Sequence, residues 1–286
     1  MSSQGAEERL AAVLLMLCTS DTETIRTGER LLKPLVKSPT SILLLMNQLR
    51  LNPNVGARHH SALLLKKKME AHYPKVGAAN QTLIRDNILP MLRAEPEKMV
   101  CVSIAGAVST LAKSIFANGA DWPQLFAAIV ELGRGEREQD RFLSFSLLDQ
   151  LAEHVAENLR PHTATLAAMF IAGCQDANSQ VSVAAMSATT TFICAIGASP
   201  EVMLLQPVIT PLLTVLAGCA HRGDSTDLID GLQIIQQCVH LEQPLINEHI
   251  EVTFVCFMII DIVFLLVRDS CLFDMFNRLL SLSSQP

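Results

Sequence analysis

Aromatic side chains are scarce in this sequence, and lysine stops less than halfway along it. One Trp and one Tyr occur in 286 residues, and no lysine follows Lys113. Basic residues without interleaved aromatics do not make a base-stacking surface, so direct nucleic-acid binding is not expected. Paired cysteines are lacking too. The eight stand singly at positions 18, 101, 174, 194, 219, 238, 256 and 271, with no Cys-x-x-Cys and no clustering with His, and read as small core residues in a reducing compartment. A Gly-x-Ser-x-Gly elbow, a His-Glu-x-x-His pair and a Walker lysine loop are all missing. Gly133-Arg-Gly135 has no nucleotide fingerprint around it and reads as an inter-helix turn. Cys101 and His154 lie in amphipathic runs, where packing or surface roles fit better than catalysis. No enzyme activity, metal or cofactor is expected. The start, MSSQGAEERL, lacks a basic region and apolar core of the secretory type, which points to cytosol or nucleus.

What is abundant is helix-forming and apolar: half of the residues are hydrophobic, with no low-complexity tract between them. The stretch Asn54–Pro74 shows the pattern. Val55, Ala62, Leu65 and Met69 are spaced by seven, three and four, so they stack as one buried helical stripe, which Leu64 widens. Helices of this kind recur in pairs, as a chain of stacked repeats requires. Residues 6–18 and 22–36 pair across a Ser-Asp turn with Asp21 as N-cap, and Pro39, Pro53, Pro74 and Pro96 punctuate the next pairs. Val100, Arg141, Val181 and Leu228, taken as landmarks of successive second helices, are 41, 40 and 47 residues apart. That step fits HEAT units of about 40–47 residues. The expected fold is all-α, a right-handed solenoid of about six HEAT repeats over residues 1–251. His59 and His60 point about 100° apart on one helix with no third ligand at helical spacing, so they read as helix histidines and not as a metal site.

Charge divides along the chain. Through Lys113 fifteen Lys+Arg oppose nine Asp+Glu, net +6; beyond it seven Arg oppose nineteen acids, net −12. Partners of different charge are expected for the two parts. Lys66, Lys67 and Lys68 stand together near the end of their helix and sweep about 200° of it, so one partner meets one or two of them at most. They also suit a solvated helix end that answers the helix dipole. Residues 252–286 form a separate, divergent apolar segment with five of the eleven Phe. Its run Val252–Val267 is sixteen residues long and contains Asp261, short of the roughly 20 apolar residues of a membrane helix, so no span is expected. An alternatively spliced or mistranslated end, or a terminal cap on the repeats, are the readings that stand.

Several phrases resemble the importin-β (karyopherin-β) nuclear transport receptors, with the importin-4-like subgroup nearest. Ala62-Leu-Leu-Leu-Lys-Lys-Lys-Met69 before His72-Tyr73-Pro74 is similar to the family's second repeat, and Ile25-Arg26 with Glu29-Arg30-Leu31-Leu32 to its first. Ala120-Asp-Trp-Pro-Gln-Leu125 resembles the opening of the fourth repeat. Cys174-Gln-Asp-Ala-Asn-Ser-Gln-Val181 resembles a fifth-repeat phrase, except that Ser182 replaces the usual Arg. That replacement puts the Asp-to-Arg ladder between repeats in doubt and leaves the junction to packing.

The resemblance covers residues 6–251 and implies a nuclear import receptor that shuttles between cytoplasm and nucleus. It implies Ran in its GTP form on the concave B helices, with Arg58, Lys66, Lys67 and Lys68 as candidates. It implies Phe-Gly nucleoporins in slots between adjacent A helices, with Leu166 and Phe170 as candidates and core burial as the other reading. Basic cargo such as histones or ribosomal proteins would face the acidic repeats. The competing function is a HEAT scaffold or adaptor with no Ran dependence.

Overall fold

The computed structural model describes residues 3–222 except Ala198, together with Leu245, and its regular structure there is helical, with no strand among the described residues. Successive helices fold back in pairs: α1 (Ser3–Leu17) with α2 (Thr22–Leu35), α3 (Ser41–Leu51) with α4 (Val55–His72), α5 (Ala78–Ala94) with α6 (Lys98–Ala117). α7 (Pro123–Gly133) and α8 (Glu138–Leu159) follow in order, and α9 (Thr163–Cys174) pairs with α10 (Ser179–Ile196). A 3-10 run, Pro200–Val208, then leads into α11 (Ile209–Arg222). Pro207 has no N–H for an α-helical bond, which fits the tighter winding there. The second helix of repeat six, with its landmark Leu228, and the whole 252–286 segment lie outside the described residues. The architecture is an all-α solenoid, as the repeat spacing requires.

Two compact units divide the chain, Met1–Glu131 and Leu132–Pro286. In the first, α4 and α6 pack most closely. Ala57, Ser61, Ala62, Leu65 and Met69 of α4 are buried; Val55, at the helix start, is only half-buried, so the buried stripe begins at Ala57 and not at Val55. α6 is buried on most sides, and its Ala105, Gly106, Ala107, Ser109 and Ala112 let neighbours approach closely. Its core hydroxyl is satisfied locally, Thr110 Oγ1 donating to the Gly106 carbonyl at 2.9 Å. α6 is long and apolar enough to cross a membrane, as are α10 and Pro200–Cys219, but much of each window is buried inside the solenoid.

Asp21 caps its helix as predicted, and the structure adds Asn54 and Asn178 as caps. Asp21 accepts from Thr24 N at 2.9 Å, Asn54 from Ala57 N at 3.0 Å, and Asn178 from Gln180 N at 2.9 Å, each satisfying an orphan donor at a helix start. Trp122, 3% exposed, is buried just before α7, whose first residue is Pro123.

In the second unit α8 and α10 make the closest pair, and three phenylalanines stack across three helices. Phe145, Phe170 and Phe192 have successive ring-centroid distances of 6.4 and 6.1 Å. Gly173 makes the stack possible: a Cβ there would lie 2.2 Å from Phe145 Cζ and 2.7 Å from Ala185 Cβ.

Candidate binding surfaces

Arg58, fourth residue of α4, is committed to the fold. Its Nε and Nη2 each donate to a Glu95 carboxylate oxygen at 2.9 Å, and Nη1 donates to the Asn52 and Pro53 carbonyls at 3.2 Å. Both side chains are largely buried, 12% and 5% exposed. Glu95 Oε1 also accepts from Glu97 N at 3.0 Å, so one acid closes its own turn and receives the arginine of the preceding repeat. All fork positions of the guanidinium that touch these partners are occupied, and the Glu95 bond pushes the Arg58 pKa up.

The lysine triplet is placed differently. Lys66 and Lys67 are exposed on the second half of α4, and Lys68 is half-buried. Lys68 faces His72, whose pKa is lowered by burial first and then by Lys68 and Lys75. The exposed strip is mixed: Leu63 is 43% exposed, and Glu70 pairs with Lys113 of α6 at 3.2 Å. Thus Lys66 and Lys67 are exposed, whereas the Arg58 side chain is largely buried against Glu95. The rings of His59 and His60 lie 6.3 Å apart, and no three metal-ligating residues gather among the described residues.

A cleft of about 420 Å³ lies in the first unit, with α3 and α5 contributing its walls. Leu49, Pro90, Met91 and Pro96 supply its apolar lining, and Arg58 and Glu95 reach it as well. Residue patterning misses it because its wall residues, read on either helix alone, look like ordinary partly buried positions.

A second Arg–acid rung stands in the second unit. Arg141, fourth residue of α8, donates from Nε to Asp176 Oδ2 at 2.6 Å and from Nη2 to Oδ1 at 3.1 Å, while Nη1 donates to the Gly135 and Glu136 carbonyls. Asp176 Oδ1 accepts from Asn178 N at 2.9 Å. The junction of repeats four and five is therefore laddered and not left to packing. The expectation fails because Asp176 reaches back to Arg141; Ser182 would serve the next junction, and its Oγ donates to the Ser179 carbonyl instead. Further along the same helices, Asp149 Oδ1 accepts from Thr191 Oγ1 at 2.6 Å and from Ser187 Oγ at 3.3 Å.

Leu166 and Phe170 are both 0% exposed. Phe170 is the middle ring of the stack, so these residues are core, and neither offers surface to a nucleoporin peptide. Spacing of four on one helix marks a shared face but does not say whether that face is covered.

Comparison with known proteins decides the family. A profile described as "IPO5-like, TPR repeats" matches residues 96–253, more than half of the chain, and one described as "Importin-beta N-terminal domain" matches residues 28–94. The chain belongs to the importin-β family. Mouse (Mus musculus) importin-4 is 21% identical over 254 residues, covering 87% of this chain and 22% of the relative. The probable importin subunit beta-4 of Schizosaccharomyces pombe is 27% identical over 147 residues, covering 51% of this chain and 14% of the relative. The chain thus spans about a fifth or less of these importins' length. Among solved structures, Kap121p bound to RanGTP superposes with a TM-score of 0.71 at 18% identity, covering 98% of this chain and 26% of that one. Kap121p bound to Pho4p gives 0.73 at 17%, covering 97% and 26%. At that identity the likeness shows the importin solenoid fold alone.

Proposed function

We propose that this importin-β family chain works as a nuclear import receptor, binding the GTP form of Ran, Phe-Gly nucleoporins and basic protein cargo, with no catalytic step and with passage between cytoplasm and nucleus. The observation that carries the reading is the exposure of Lys66 and Lys67 on α4, the second helix of repeat two, within the basic part of the chain. Supporting it, related solenoids have been solved as Kap121p bound to RanGTP and to Nup53p. Lys68 contributes at the edge of the site, and Arg58 braces the surface from beneath. For nucleoporins, the α3–α5 cleft is the slot in this reading, since it offers apolar walls where Leu166 and Phe170 offer none. Basic cargo such as histones or ribosomal proteins is complementary to the chain beyond Lys113, net −12.

Exposed charges act chiefly on association rate and salt sensitivity. Ran-GTP binding to the full chain should therefore weaken as salt rises, and Lys66→Glu with Lys67→Glu should remove most binding at low salt while circular dichroism stays unchanged. Binding that is equal for wild type and variant across a salt titration would take these lysines out of the site. No Ran-GTP binding by either protein would leave a HEAT scaffold without Ran dependence.

A further inference from the structure

Three Ser-Pro or Thr-Pro steps occur in the chain, Ser38-Pro39, Ser199-Pro200 and Thr210-Pro211. Their surroundings differ. Ser199 is 8% exposed, and Thr210 lies in the first turn of α11, where a helical backbone does not fit the extended cleft in which a kinase holds its substrate. Ser38 is exposed in the turn between α2 and α3, with its Oγ 2.8 Å from the exposed Thr40 Oγ1, and its bond to Pro39 is trans. Thr40 has no proline after it. Proline disfavours helix at the residue before it, so Ser38 adopts extended backbone at low cost.

The neighbourhood of Ser38 is basic. Lys33 stands in the last turn of α2, Lys37 comes directly before Ser38, and no Asp or Glu occurs between Glu29 and Glu70. The Ser38 carbonyl accepts from Ser41 N at 3.0 Å, and Ser41 Oγ lies 3.4 Å from Nδ1 of His72, at the end of α4. Burial first, and then the charges of Lys68 and Lys75, lower the His72 pKa, so positive charge already gathers around that imidazole. Glu70, two residues before His72, is paired with Lys113. A phosphoserine carries about −1.5 to −2 at neutral pH and at this turn would supply an anion that the local chain lacks.

We infer that Ser38 is a phosphorylation site for a proline-directed Ser/Thr kinase, and that its phosphate offsets the positive charge where repeats one and two meet. In the transfer Ser38 Oγ forms the new bond to the γ-phosphorus of ATP, the bond from that phosphorus to the β-phosphate oxygen breaks, ADP leaves, and the hydroxyl proton passes to the kinase's base. The site is separate from Lys66 and Lys67 and does not depend on Ran or nucleoporin binding.

The full chain should be incubated with ATP and, in parallel, a mitogen-activated kinase and a cyclin-dependent kinase, and the products mapped by mass spectrometry. Phosphate should appear at Ser38 and not at Ser199, while synthetic peptides spanning each of these two steps should both be modified, since only the fold hides Ser199. Ser38→Ala should remove most of the incorporated phosphate. In the phosphorylated chain the His72 ring resonance, followed by NMR, should titrate at higher pH than in the unmodified chain, because the new anion opposes Lys68 and Lys75. No modification of Ser38 in the folded chain by either kinase, equal modification of Ser199, unchanged incorporation in Ser38→Ala, or a His72 midpoint that does not rise would each overturn the inference.

Discussion

The Arg58–Glu95 pair of the first unit and the Arg141–Asp176 pair of the second are the same device with acids of different length. In each, the arginine is the fourth residue of a second helix, donates to two carbonyls of the loop before that helix, and grips an acid that caps its own turn. The acid stands three residues before the next second helix in both cases. Glutamate gives two equal bonds at 2.9 Å, and the shorter aspartate gives 2.6 and 3.1 Å with the arginine more open, 23% exposed against 12%. The position, and not the particular acid, makes the rung. In the repeat between, Cys101 and Gly135 hold the corresponding places and carry no charge pair. Because both units spend their rung charges internally, the opposite net charges of the two parts of the chain rest on other, mainly exposed, groups. Fold and partner choice are thus carried by separate sets of charges.

The strongest way to break the comparison is through the core of the second unit, with its Phe145–Phe170–Phe192 cluster. Phe170→Ala should cost about 3–5 kcal/mol, the usual range for a fully buried ring. Chemical denaturation followed by circular dichroism should show it, while Trp122 fluorescence, from the first unit, moves less. A normal midpoint, with new peptide binding at α9, would restore Phe170 as a surface residue.

Removing one partner of a buried pair strands the other, so Arg58→Ala and Arg141→Ala should each cost about 3 kcal/mol. The Arg58 change should cost more, since its pair is the less exposed. The reverse order would show that the loop carbonyls, and not the acids, hold these arginines. Gly173→Ala comes next, at about 1–3 kcal/mol, because the rigid Phe145 ring cannot yield to the new methyl group. A neutral result would mean that α9 can shift away from α8 at little cost.

Much of this organisation is legible in the residues. Prolines, Asp21 and Trp122-Pro123 mark the helix ends because capping is local chemistry written within four residues. The stripe on α4 is legible for the same reason. Both rungs escape notice because their partners lie 37 and 35 residues apart and depend on repeat-to-repeat register, which spacing along one helix does not contain. Arg58 then looks like a free surface cation, although its guanidinium is bound on both sides. Leu166 and Phe170 misled in the opposite sense, since an apolar face four residues deep looks the same whether solvent, a peptide or Phe192 covers it. The α3–α5 cleft arises from a gap between helices and has no counterpart in a single segment.

The smallest effect sharpens the comparison of the rungs themselves. Hydrogen bonding by Arg141, and after it by Asn178 N, lowers the Asp176 pKa below its ordinary value, with burial opposing. A carboxylate whose folded pKa is depressed stabilises the fold fully above the unfolded value, about 3.9, and loses that contribution as pH falls through the folded one. The stability gap between wild type and Asp176→Asn should therefore be constant near neutrality and narrow as pH drops below about 4, because the protonated aspartate comes to resemble the amide. Urea midpoints measured from pH 6 down to pH 3 test this. A gap that stays constant over the whole range would mean that Asp176 contributes through its turn with Asn178 and not through its charge on Arg141.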